Sequence, residues 1–196
     1  MKTMFWFPLL ALAAAGCIHG RMAVPAAPPL PPTDNRTLVQ FNRETGLGGW
    51  HVENDVVMGG RSQSRLVLDE SGNAVFTGAV SLENDGGFAS MQCDFAPLDV
   101  SGYRAIHLGL KGDGKRYQLR LDAEKNARHS YAADFQTSGA WQEIVLPFAD
   151  LEPIRHGDRL DLPNYPGQTL ARVQLLIGNA KAETFRLEID RIWLAK

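Results

Sequence analysis

Residues 104–122 read Arg104-Ala105-Ile106-His107-Leu108-Gly109-Leu110-Lys111-Gly112-Asp113-Gly114-Lys115-Arg116-Tyr117-Gln118-Leu119-Arg120-Leu121-Asp122. Ile106, Leu108 and Leu110 fall on one face of an extended chain, and Tyr117, Leu119 and Leu121 do the same after the turn signal Gly112-Asp113-Gly114. A period of two marks strands with one buried face. The pattern recurs outward. Tyr131, Ala133 and Phe135 alternate with Ala132 and Asp134, and Phe185, Leu187 and Ile189 alternate with Arg186, Glu188 and Asp190. Past Ile189 the phase slips, since Ile192 and Leu194 are apolar, and a bulge near Asp190-Arg191 accounts for the slip. Glu70-Ser71-Gly72-Asn73, Asn84-Asp85-Gly86-Gly87 and Ser138-Gly139 supply further turns. No long window has a 3.6-residue period. The pattern predicts an all-β fold, a single antiparallel β-sandwich. Pro147-Phe148-Ala149-Asp150-Leu151 predicts one helical turn, and Pro153, Pro163 and Pro166 predict a long loop after it.

The 196 residues are 44% hydrophobic and 21% charged, which suits one globular domain. A net charge of −2 gives no electrostatic reason to expect nucleic acid. Cys93 shares a strand face with Ala89, Met91 and Phe95 and reads as a buried core thiol.

The segment from Trp50 to Ser64 reads as a strand, a glycine-rich turn at Gly59-Gly60 and a second strand. Asn54, Asp55, Arg61, Ser62, Gln63 and Ser64 make the turn unusually polar. The nine residues Asn54-Asp55-Val56-Val57-Met58-Gly59-Gly60-Arg61-Ser62 resemble the signature of the CIA30 (complex I intermediate-associated protein 30) family. The resemblance continues through Phe76-Thr77-Gly78, the run from Ser81 to Ser90 with its Gly87-Phe88, the run from Lys111 to Tyr117, and Trp141. It ends near Ile189-Asp190-Arg191-Ile192 and covers residues 37–196. It implies a jelly-roll, galactose-binding-like sandwich. It also implies a binding role of the kind that family members play in assembling respiratory complex I, and it names no catalytic residues.

The N-terminus has its own logic. Lys2, an apolar run from Met4 to Ala15, and Ala14-Ala15-Gly16-Cys17 have the layout of a secretory signal. The end resembles a bacterial lipobox, with Cys17 as the lipidated residue. A mitochondrial transit peptide does not fit, because one basic residue and no Arg or Ser precede Cys17. Residues 18–36 carry Pro25, Pro28, Pro29, Pro31 and Pro32 and read as an extended tether. The expected organisation is a lipoprotein-type signal at 1–17, a tether at 18–36 and a domain at 37–196. The expected location is the cell envelope, at the outer membrane in a Gram-negative cell.

Catalytic templates fail. The chain lacks a Gly-x-Ser-x-Gly elbow, a P-loop and a His-Glu-x-x-His zinc site, and His51, His107, His129 and His156 are scattered singly. Glu53, Asp55, Glu83, Asp85 and Asp113 sit in or beside turns. They read as turn caps, with a structural calcium as the alternative and no other cofactor or metal expected. Gly59-Gly60-Arg61-Ser62 reads either as a tight turn, with Arg61 paired to Asp55 or another acid, or as a donor set for an anion or a partner carboxylate. Trp50, Trp141 and Trp193 read as core residues. His107, Gln118 and Arg120 read as one polar sheet face. The candidate binding or signature positions are Trp50, Asn54, Asp55, Met58, Gly59, Gly60, Arg61, Ser62, Gly87, Phe88, Ser90, Asp113, Arg120 and Trp141. The expected function is a non-enzymatic, membrane-tethered module that binds an envelope protein, with envelope or extracellular glycans as the alternative ligand.

Overall fold

The computed structural model of the protein describes residues 35–196. The signal sequence, Cys17 and all of the expected tether except Asn35 and Arg36 lie outside the described residues. Those two residues open the first strand.

Thirteen strands follow: β1 Asn35–Gln40, β2 His51–Asn54, β3 Gln63–Leu68, β4 Ala74–Val80, β5 Ala89–Asp99, β6 Ala105–Lys111, β7 Arg116–Asp122, β8 Ser130–Gln136, β9 Trp141–Pro147, β10 Glu152–Arg155, β11 Asp158–Arg159, β12 Thr169–Ile177 and β13 Glu183–Ala195. They form two sheets. One has six strands in the order β3-β4-β13-β6-β9, with β1 also on β13; the other has seven in the order β11-β10-β8-β7-β12-β5-β2. All pairings are antiparallel. The two sheets make the expected antiparallel sandwich.

The alternating residues form its core. Ile106, Leu108 and Leu110 of one sheet and Leu119, Leu121 and Leu175 of the other have no exposed surface. Each such side chain contributes about 1.5–3 kcal/mol on burial. The expected bulge is present: the pairing of β13 with β6 shifts between Ile189 and Arg191. The shift returns Ile192 and Leu194 to the core. The carbonyl of the bulged Asp190 accepts the Phe41 amide at 2.9 Å, so the break in the ladder leaves no orphan there. Cys93 is buried and free.

The expected strand, glycine-rich turn and strand are present, yet they form no hairpin: the segment 54–62 joins β2 of the seven-stranded sheet to β3 of the six-stranded one. It is a crossover between layers, as are the links β4–β5, β6–β7, β8–β9 and β12–β13. These five links lie at one end of the sandwich. The other end holds Asn35, which pairs with Ala195. The expected loop beyond Leu151 contains β10 and β11, with Pro153 opposite Tyr131 of β8. Proline is tolerated in so short a strand near a sheet edge.

Candidate functional site

Asp55 organises the crossover end. Its side chain is fully buried. Its carboxylate accepts the Ser62 amide at 2.9 Å, the Ser62 hydroxyl, the Gly87 amide at 2.7 Å and the Phe88 amide at 3.2 Å. Burial pushes the carboxyl upward, but the donors of Ser62, Gly87 and Phe88 outweigh it and hold the pKa below the ordinary 3.8. Ser62 Oγ in turn accepts the Ser81 amide at 2.9 Å. Loops 55–62 and 81–88 are thereby fastened to one buried anion. Gly60 packs against it, since a Cβ there would lie 2.4 Å from Asp55 Cγ. Gly59 ends a 3₁₀ turn, Asp55–Met58, in the left-handed region at φ 93°, as the double glycine predicted. Asn54 Oδ1 accepts the Ser64 hydroxyl at 2.6 Å and closes the base of the loop.

This polar frame holds an apolar skin. Val56, Val57 and Met58 are 60%, 69% and 68% exposed, and Leu82 on the neighbouring loop is 47% exposed. A 3₁₀ turn has three residues per turn, so consecutive side chains fan outward from it. Arg61 and Glu83 join the two loops on the outside through a 3.1 Å ion pair, both largely solvated. Arg61 thus pairs with an acid other than Asp55. Among the expected positions Met58 belongs to the skin. Val56, Val57 and Leu82 were not singled out from sequence. The available signal was three apolar residues in a row inside a polar turn, where neither alternation nor helical spacing calls for them.

The other positions disperse. Trp50 is a core residue, edge-on to Phe41 with ring centroids 5.8 Å apart. Ser90 is buried and donates to the Glu53 carbonyl at 2.6 Å. Asp113 fastens its turn to β13, accepting Lys115 Nζ at 2.8 Å, Tyr117 OH at 3.1 Å and the Arg186 amide at 3.0 Å. Trp141 is 48% exposed at the start of an edge strand, against the expectation of core packing. Trp193 is buried, yet on the outer side of the six-stranded sheet, beneath Arg191 and beside His107. His107 belongs to that sheet too and does not share a face with Gln118 and Arg120.

Gln118 and Arg120 belong to the outer face of the seven-stranded sheet, where polar groups pair in three neighbouring clusters. Arg120 Nε donates to Gln118 at 2.6 Å, and Gln118 donates to Asp134 at 2.8 Å. Gln174 donates to Ser90 and Gln92, each at 3.0 Å, and Gln92 donates to Glu53 at 2.6 Å. Arg172 bridges Asp94 at 2.6 Å and Asp122 at 3.4 Å. Burial raises the Asp122 carboxyl above its ordinary range despite Ser130 and Arg172. Among the described residues no group of three or more His, Cys, Asp or Glu is placed to hold a metal ion. The Asp55 oxygens are already engaged by protein donors, which leaves them poorly placed to bind calcium.

A family model described as complex I intermediate-associated protein 30 matches residues 39–189. The chain belongs to the CIA30 family. A curated relative, complex I intermediate-associated protein 30, mitochondrial, from Mus musculus, is 26% identical over 136 residues. The match covers 58% of this chain and 42% of the mouse protein, under half of that relative's length. Among solved structures, a family 11 carbohydrate-binding module from Clostridium thermocellum, in complex with a β-1,3-1,4-mixed-linked tetrasaccharide, is similar at a TM-score of 0.58 and 16% identity. That likeness covers 82% of this chain and 95% of the module. An agarase is similar at a TM-score of 0.54 and 11% identity, over 83% of this chain and 24% of the enzyme. At these identities the likenesses bear on the fold alone. In this CIA30 family member the stretch from Asn54 to Ser62 is at once the buried frame and the exposed tip.

Proposed function

We propose that this CIA30 family member is a non-enzymatic protein-binding module of the cell envelope. It docks a client through Val56, Val57, Met58 and Leu82 and assists the client's assembly. The observation that carries the reading is the exposure of those four apolar side chains on loops fastened to the buried Asp55. A rigid apolar projection is suited to an apolar recess in another protein, with little ordering cost on binding. The mouse relative's name, a complex I intermediate-associated protein, supports a role in assembly. The lipobox-like Ala14-Ala15-Gly16-Cys17 supports the envelope location. A chain tethered there enters the domain at Asn35, the end away from the tip, so attachment and docking use different ends.

Affinity capture of the tagged full-length protein from its native membranes tests this, run beside the double variant Val57→Ser, Met58→Ser. A partner enriched by the natural chain and lost from the variant is the expected result. Identical captures, or none, would overturn it.

A second reading, glycan binding, rests on the polar outer face of the seven-stranded sheet. Amides, carboxylates and guanidinium groups stand there in adjacent rows, the chemistry that sugar hydroxyls pair with. The fold-level likeness to the tetrasaccharide-bound module supports looking there. Thermal shifts with mixed-linked β-glucan oligosaccharides and agaro-oligosaccharides test it. A flat response to every sugar sinks it.

A further inference from the structure

Two free strand edges meet along one side of the sandwich. Among the described residues β9 pairs only with β6, and β10 covers β8 only as far as Ala132. A cleft of about 390 Å³ lies between these edges, lined by Ala132, Ala133 and Asp134 of β8 and Val145, Leu146 and Pro147 of β9. Each strand contributes three consecutive residues. Successive side chains point to opposite faces, so a cleft touching three in a row looks on strand edges, not on a sheet face.

The hydrogen-bond phase identifies the backbone groups that open there. Phe148 N donates to the Arg104 carbonyl at 2.7 Å, in register with the β6–β9 ladder. Hydrogen-bonded pairs alternate in an antiparallel ladder, so Leu146 and Ile144 bond to β6 while Val145 and Glu143 direct N–H and C=O outward. On β8, Thr137 N donates to the Lys115 carbonyl at 3.0 Å. The same alternation turns the backbone of Asp134 away from β7.

Sheet edges are usually protected by lysine, a bulge or a mid-strand proline. In β9, Trp141-Gln142-Glu143-Ile144-Val145-Leu146-Pro147, there is no lysine and no register shift, and the one proline faces outward only at the strand's last residue, so the N–H groups of Val145 and Glu143 stay open. Val145 is 49% exposed. The rim of the cleft is acidic, with Asp134, Asp150 and Glu152. Arg116 and Arg159 pair with the first and last at 3.4 and 3.0 Å, whereas Asp150 has no ion pair among the described residues. An edge offering main-chain groups above small apolar residues, beside an unpaired carboxylate, fits strand addition by a basic peptide.

We infer that this cleft binds an extended segment of a partner protein, which adds to β9 as a further strand and directs Lys or Arg toward Asp150 and the neighbouring carboxylates. The site uses no residue of the 55–62 loop, so it goes beyond docking at the tip and stands or falls separately.

The test uses the full-length protein and two synthetic heptapeptides, one alternating valine with lysine and one alternating valine with glutamate. Fluorescence anisotropy is expected to show the lysine peptide binding at least about tenfold more tightly than the glutamate peptide. Val145→Pro removes one outward N–H and spares the β6 ladder. It should weaken the lysine peptide about tenfold while the melting temperature is held. Asp150→Lys, a surface change, should weaken it comparably and decides the matter if Val145→Pro fails to fold. Val57→Ser with Met58→Ser should leave peptide affinity unchanged. Equal binding of both peptides, binding of neither at millimolar concentration, or full affinity in Asp150→Lys would overturn the inference. So would displacement of the peptide by a mixed-linked β-glucan oligosaccharide, which would assign the cleft to sugar.

Discussion

The crossover loop 55–62 and the outer face of the seven-stranded sheet place their polar groups in opposite ways. The loop buries a carboxylate with Ser62, caps it with the half-buried amides of Gly87 and Phe88, and turns valine and methionine to the solvent. The sheet face spreads amides, acids and arginines over a surface, each paired with a neighbour. A buried polar hub is a device for holding backbone in one shape, because any donor released from it stays unpaired. Polar groups that stay half-exposed, as Glu53, Gln118, Arg120 and Gln174 do around the buried Ser90 and Gln92, can exchange their partners for ligand or water at smaller cost. The first region is therefore read as a rigid presenter of apolar side chains, the second as a surface that recognises by hydrogen bonds.

The contrast is broken most severely at Asp55. Asp55→Ala leaves the amides of Ser62, Gly87 and Phe88 without an acceptor and the Ser62 hydroxyl with only the Ser81 carbonyl at 3.4 Å. Each buried unpaired group costs about 1–3 kcal/mol, so the expected loss is at least about 3 kcal/mol. At about 2–4 °C per kcal/mol, the melting temperature should fall by roughly 6–12 °C. The same residue predicts a pH effect. Its folded pKa lies below the unfolded 3.8, so its contribution is fully present above that value and lost as pH falls through the folded pKa. Urea titrations from pH 5 down to pH 2 should show a steeper acid loss in the natural chain than in Asp55→Asn; parallel curves would remove Asp55 from the account.

Gly59→Val comes next. Space is not the obstacle, since no atom lies within 4 Å of a Cβ there, but φ is 93°. A β-branched residue is strongly disfavoured at such an angle, and the expected cost is about 1–3 kcal/mol. An unchanged melting temperature would mean that the loop relaxes, and with it the claim of a rigid presenter.

Legibility follows the same division. Alternation at 106–110, 117–121 and 185–189 was readable because one face of each strand meets the core and the other does not. The slip at Asp190 was readable because a bulge shifts that alternation by one residue. The route of 54–62 was not, since hairpin and crossover share the pattern of strand, glycine, strand, and only the partners of β2 and β3 tell them apart. The strand at Glu152–Arg155 was hidden by Pro153 and its brevity. Trp141 misled because an aromatic opening a strand reads alike at an edge and in a core. At the tip, Asp55, Gly59, Gly60 and Ser62 stood out through their residue types, whereas Val56 and Val57 matter only because the frame turns them outward.

On the sheet face the expected effect is smaller. Gln92→Ala removes the donor to Glu53 at 2.6 Å and the acceptor for Gln174 at 3.0 Å. Gln92 itself is 4% exposed, but Glu53 and Gln174 are only half-buried and water can reach the groups it leaves, so about 1 kcal/mol is expected in urea unfolding. A loss as large as that of Asp55→Ala would show that the face is a second structural hub, and the glycan reading would lose its surface.

The smallest effect on stability is expected where the largest effect on binding is proposed. Val57 and Met58 are more than two-thirds exposed, so their side chains lose little contact with water on folding. Val57→Ser with Met58→Ser should leave the melting temperature within about 1–2 °C of the natural chain, the usual range for surface changes. A drop of several degrees would mean that the two residues pack against the frame, and their exposure could not then be read as docking surface. An unchanged melting temperature with a lost partner would separate the two halves of the nine-residue signature: Asp55, Gly60 and Ser62 build the loop, and Val56, Val57 and Met58 are what it was built to present.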